Sequence, residues 1–148
     1  VENSADHAAW AHLSADDQAL LALARDTRRN AYAPMSTYRV GAAVETADGR
    51  RFGGCNVEHI VLGLTCCAEM VAVFKGVSEG CRAFTTVAVY VDDDPAAAPC
   101  GSCRQMLHFW RVERVVIGNE AGAEVVALSY LLPHAFGLRP EDVGKRGA

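Results

Sequence analysis

The chain has 148 residues, 51% of them apolar and 22% charged, a composition that suits one globular domain with a substantial core. Its net charge of −4 comes without a basic block, which argues against a nucleic-acid backbone as partner. No apolar run approaches the roughly 20 residues needed to span a bilayer, so no membrane association is expected.

Val1 to His7 lack the basic start and apolar centre of a secretory leader. The six cysteines, at these spacings, suit a reducing cytoplasm and a metal site better than a disulfide framework. In chain order, Ser14 is an expected N-cap. Ala19, Leu20, Leu21, Leu23 and Ala24 give the helix that follows, over 15–30, its apolar face. Tyr38 to Val44 reads as a strand, which Asp48-Gly49 turns into a second strand from Arg51 to Cys55. Ala68, Glu69, Met70 and Ala72 are good helix formers and predict a helix over 67–77. Phe84 to Val91 is a continuous apolar run, the pattern of a buried strand.

Asp92 to Pro99 reads as a turn-rich loop. A helix over 101–111, a strand over 113–117, a turn at Gly118-Asn119 and a strand over 124–128 follow. Ser129 is expected to cap a short helix containing Tyr130, Leu131 and Leu132, and the polar tail after Gly137 is expected to be loose. With no repeat and no linker, this order of elements predicts an α/β/α sandwich, a sheet covered by helices on both faces.

Two cysteine clusters carry the chemistry: Cys67-Ala68-Glu69 and Pro99-Cys100-Gly101-Ser102-Cys103. Three thiolates can hold Zn²⁺ and leave the fourth tetrahedral position for water. Cys100 and Cys103, three residues apart at a helix start, share one face of its first turn, and Cys67 opens another helix. Helix N-termini favour thiolates through their partial positive charge. A carboxylate two residues after the first ligand is placed to move that water's protons, so the pattern supports hydrolytic deamination of an amidine-like carbon with Glu69 as shuttle. The alternative is a structural zinc site closed by His59 or His108. Glu69 argues against it, because a closed site has no use for a carboxylate there.

These motifs resemble the cytidine deaminase family, in its small homotetrameric branch. Further matching stretches are Tyr38-x-Val40-Gly41-Ala42-Ala43, Gly54-Cys55-Asn56-Val57-Glu58, Thr65-Cys66-Cys67-Ala68-Glu69, Cys103-Arg104-Gln105 and Leu131-Leu132-Pro133-x-Ala135-Phe136-Gly137. The resemblance implies a three-layer sandwich on a mixed sheet of about five strands, with a single domain whose core runs from about 31 to 137. It implies Cys67, Cys100 and Cys103 as zinc ligands, Glu69 as proton shuttle, and a cytosine nucleoside as substrate. Asn56 and Glu58 would hold the ribose 3′-hydroxyl, Tyr38 would stack on the base, and Ala68 would complete the substrate contacts, while His59, which stands outside the family pattern, either contacts an altered sugar or a charged substituent or packs within its loop. Phe136 would line a neighbouring subunit's pocket in a cytoplasmic homotetramer.

Four positions depart from the family pattern. His59 replaces an Asn, Ile60 an Ala, Leu62 a Tyr that offers a hydroxyl toward the sugar, and Met70 an Arg that bonds the zinc thiolates. Arg104 is a candidate to compensate in part for that missing cation. The changes leave the deamination chemistry intact and bear on the sugar's 5′ side. They leave open a modified aminopyrimidine nucleoside, a nucleoside antibiotic or another amino-heterocycle as substrate, and, from a different class, a non-catalytic zinc domain. Cys55, Cys66 and Cys81 read as small packed residues.

Overall fold

The computed structural model describes residues 8–143. The expected leaderless start, Val1 to His7, and the far end of the tail, 144–148, lie outside the described residues.

Helix α1 (Ala15–Arg28) begins where its cap predicts, with Ser14 Oγ accepting the Asp17 N–H at 3.1 Å. Asp16 and Asp17 in its first turn, and Arg25 and Arg28 in its last, complement the helix dipole. Strands β1 (Gly41–Glu45) and β2 (Arg51–Cys55) form the expected hairpin. Together with β3 (Thr86–Tyr90), β4 (Arg114–Gly118) and β5 (Ala123–Ala127) they make a mixed sheet in the order β2-β1-β3-β4-β5. Only β3 and β4 run parallel, and a parallel pair needs a crossover, which helix α3 (Gly101–Phe109) supplies.

Helix α1 covers one face, where Leu20, Leu21 and Ala24 meet Ala43, Ala88 and Val116. Helices α2 (Ala68–Ser78) and α3 cover the other, packing on Ala42, Val44, Val87, Val89 and Val115. Successive strand residues therefore enter opposite cores, which is why all five residues of β3 are buried and its sequence shows no alternation. Trp10, outside every motif, is fully buried at the α1 face, where its indole N–H donates to Asn119 O at 2.9 Å. Cys81 is a packed core residue, as expected.

Several boundaries move. The first strand starts at Gly41 rather than Tyr38, because the Asn56 amide takes the Val40 N–H (2.8 Å) and the Tyr38 carbonyl (2.8 Å) in place of a strand ladder. The helix expected over 101–111 stops at Phe109, followed by Arg111 in the left-handed region at φ 68°. Ser129 is no cap: the short helix α4 (Leu128–Leu131) has Ala127 at its N-cap and Ser129 inside it. The segment expected to be loose carries a 3-10 turn at Pro140–Asp142, and Arg111 pairs with Glu141 there. Among the described residues no helix is long and apolar enough to cross a membrane.

Candidate active site

Cys67 and Cys100 stand at the N-cap positions of α2 and α3, neither making a side-chain cap bond, and Cys103 is the third residue of α3. An N-cap side chain faces the unpaired N–H groups of the first turn, so sulfur placed there sits in a positive field. Loop geometry brings the two helix starts together. Val57 and Cys66 exchange two backbone hydrogen bonds of 2.9 Å and so deliver Cys67 at a fixed point. On the other side Arg104 Nε donates to Pro99 O at 2.7 Å and holds the approach to Cys100.

The three sulfurs lie within 4.8 Å of one another, Cys67 and Cys100 at 4.0 Å. Tetrahedral Zn–S bonds of about 2.3 Å separate sulfurs by about 3.8 Å, so this donor set fits Zn²⁺. Among the described residues no His, Asp, Glu or further Cys joins the trio. His59 Nδ1 accepts the Val61 N–H at 2.9 Å, and His108 lines a different cavity beside Leu132 and His134. Neither therefore closes a four-ligand site.

The hydrogen bond from Cys103 lowers the Cys67 thiol to about 7, while Cys103, as donor in that bond and buried beside Glu69, is pushed up. A bound dication would favour the thiolate form of its sulfur ligands. Glu69, in the first turn of α2, is only 4% exposed, and burial pushes its carboxyl above the usual range.

Glu69, Cys67 and Cys100 open into a cavity of about 260 Å³ that Ala68, Asn56 and Glu58 also line. Tyr38 stands at its edge, partly exposed, its phenol pushed up by burial and by the charges of Asp93 and Glu69. The Asn56 amide, having bound Tyr38 and Val40, keeps one N–H and one lone pair free to meet a hydroxyl. Glu58 accepts the Ser36 hydroxyl and the N–H groups of Met35 (2.8 Å) and Ser36 (3.2 Å), and the Ser36 hydroxyl above all holds it below the usual carboxylate range.

Two candidate residues lie away from this cavity. His59 does not line it: its N–H donates to Thr65 Oγ1 at 3.0 Å and its ring takes the Val61 N–H, so the side chain closes its own loop. Phe136, expected at a neighbouring subunit's pocket, is 80% exposed and does not line its own chain's cavity. Arg104 does not replace the missing cation at the thiolates, because its guanidinium is held by the carbonyls of Pro99 and Leu131. Leu62 lines an adjoining cavity with Met35, Glu58 and Thr65. The sequence reading missed Ser36, Thr65, Val89, Val91, Ala97 and Ala98 among the lining residues, and Cys66, read from sequence as a small packed residue, is half-buried and lines the cavity with them. Thr65 and Ser36 each lie within two residues of a motif residue; the four apolar residues carry no local signal.

A zinc-binding α/β/α domain with a buried carboxylate beside a thiolate trio is the class that the fold and the site define. The family model described as "Cytidine and deoxycytidylate deaminase zinc-binding region" matches residues 14–119. A cytidine deaminase of Sporosarcina psychrophila is 42% identical over 124 residues, covering 82% of this chain and 91% of that protein. The crystal structure of cytidine deaminase from Burkholderia pseudomallei superposes with a TM-score of 0.76 at 41% identity, covering 80% of this chain and 97% of that one. Cytidine deaminase from Mycobacterium tuberculosis gives a TM-score of 0.70 at 37% identity, with 81% and 96% covered. The chain belongs to the cytidine deaminase family of zinc-dependent aminohydrolases.

Proposed function

We propose that this chain deaminates cytidine and deoxycytidine to the corresponding uracil nucleosides with release of ammonia, using Cys67, Cys100 and Cys103 to hold Zn²⁺ and Glu69 to carry protons. The observation that carries this reading is that Glu69, Cys67 and Cys100 share one compact cavity with Asn56, Glu58 and Tyr38, with the buried Cys103 sulfur completing the trio behind them. When bound, the metal supplies a Lewis acid that makes water nucleophilic at neutral pH. Glu69 accepts a proton from the attacking water at a carboxylate oxygen and gives it to the ring nitrogen next to the reacting carbon, then takes a second proton from the newly added hydroxyl and passes it to the departing amine. Its burial favours the protonated form that must be held between these steps. Tyr38 stacks on the base, Ala68 bounds it, and Asn56 with Glu58 satisfies the sugar hydroxyl as donor and acceptor.

On the same reading residues 1–148 form one domain, and the protein is a cytoplasmic homotetramer serving pyrimidine salvage. Ile60 and Leu62, at 86% and 76% exposed, and Leu64 beside them give the loop over 60–64 an apolar surface suited to burial by another copy. Phe136 then serves the cavity of a neighbouring subunit.

Glu69→Gln tests the assignment, with ammonia release and zinc content measured on the same preparation. The variant should keep its zinc and fold and lose about 10²–10⁴-fold in turnover of cytidine. Near-native ammonia release would assign the proton transfer to another group.

A further inference from the structure

We propose that Gln105, with Arg104 beside it, is a positioning residue that holds Phe136 in place for the cavity of a neighbouring copy. The metal-bearing helix of one chain then sets the aromatic wall of the next chain's site. The proposal rests on the reading that Phe136 acts in a neighbour's cavity.

Gln105 turns both ends of its amide to the backbone of a single residue. Its Nε2 donates to Phe136 O at 2.7 Å, and its Oε1 accepts the Phe136 N–H at 3.2 Å. One position earlier on α3, Arg104 donates to Leu131 O at 2.8 Å. Successive side chains of the helix that carries Cys100 and Cys103 thus tie down both ends of the segment 131–136. Between the ties His134 takes φ 56°, a left-handed conformation that a non-glycine residue adopts only at a cost and that fixed ends can enforce.

The result is an apolar ring held out in solvent on an immobilised backbone. A residue needed only for packing would turn its side chain onto the core, as Trp110 and Leu131 do nearby. Phe136 instead stays 80% exposed and does not line its own chain's cavity. Fixing the backbone in advance removes the ordering cost that a loose aromatic would incur on meeting a substrate. Gln105 touches no part of the cavity, so its effect must pass through Phe136.

The experiment measures steady-state kinetics of cytidine deamination for Gln105→Ala, Phe136→Ala and the double variant, together with zinc content and oligomer mass. Gln105→Ala should raise KM about three- to tenfold, the scale of a lost aromatic contact, with kcat, zinc and mass unchanged. The double variant should be no worse than Phe136→Ala. Each single variant is then mixed and reassembled with the inactive Glu69→Gln chain, whose Gln105 and Phe136 are intact. Because the defect is exported to a neighbour, reassembly should return part of the sites to native KM.

Phe136→Ala with native KM would refute the shared-site reading itself. Phe136→Ala with raised KM beside Gln105→Ala with native KM would overturn only the role of Gln105. Recovery with the Phe136 variant but not with the Gln105 variant would place Gln105 in its own chain's site and overturn the proposal as well. If Gln105→Ala loses zinc or assembly, Gln105→Glu takes its place. It keeps the side-chain length and the acceptor for the Phe136 N–H, and sets a carboxylate oxygen against the Phe136 carbonyl. It should raise KM and recover on mixing, and failure to do so overturns the proposal equally.

Discussion

Gly54 lies on β2 where helix α2 crosses closest, and Gly54→Ala is expected to disturb stability and catalysis together. A Cβ there would stand 2.5 Å from Ala72 N, 2.7 Å from Ala68 O and 3.0 Å from Ala72 Cα, all of them backbone atoms of α2. Ordinary contacts are about 3.5–4.0 Å, so the helix must retreat by about 1 Å. Overpacking of this kind costs about 1–3 kcal/mol, which for a chain of this length lowers Tm by about 2–12 °C. The retreat also carries Cys67 and Glu69 away from Cys100 and Cys103, which ride on α3. A misplacement of about 1 Å can cost about 100-fold in rate.

Gly53→Ala is the matched comparison on the opposite face. Its Cβ meets only side chains of α1, Thr27 Cγ2 at 2.5 Å and Leu23 Cδ1 at 3.3 Å. That variant should lose stability and keep kcat/KM. Gly63→Ala, with nothing within 4 Å, should change neither. The assay is kcat/KM for cytidine beside Tm by calorimetry and zinc per chain. If Gly54→Ala lowered Tm as Gly53→Ala does but kept kcat/KM within about threefold, the Gly54 contact would not set the distance between the two metal-bearing helices.

Two further outcomes concern the cage and the turn beside it. Cys100→Ala removes a ligand that joins two helix starts, so the purified variant should hold little zinc and melt below the native protein, since metal binding contributes folding energy; one zinc per chain in that variant would refute the three-sulfur assignment. Glu58 is held below its ordinary 4.5 by Ser36 and Met35, so its bonds stabilise the 34–37 turn above that value and are lost as pH falls through the depressed one. NMR titration of the Met35 and Ser36 amides should show them shift together in that acid range, and Glu58→Gln should abolish the shift; amides that titrate unchanged in Glu58→Gln would assign the turn to other contacts.

The metal half of the site was legible in the sequence because it is local. Cys100 and Cys103 share one helical turn whatever surrounds them, and Glu69 keeps its place two residues after Cys67. The sheet was legible for a related reason: the continuous apolar run of β3 and the Asp48-Gly49 turn are short-range patterns. What the tertiary structure decided is where the polar side chains find partners, since those partners lie far along the chain. Asn56 binds Tyr38 and Val40 and so delays the first strand, Glu58 binds the turn at Met35 and Ser36, and Arg104 reaches Leu131 instead of the thiolates. His59 has its partners in its own loop, yet only the folded loop reveals that they turn it away from the cavity. Spacing constrains residues that share a turn or a strand, but a side-chain hydrogen bond depends on which segments packing brings within about 3 Å of each other, and that is settled only when the whole chain has folded.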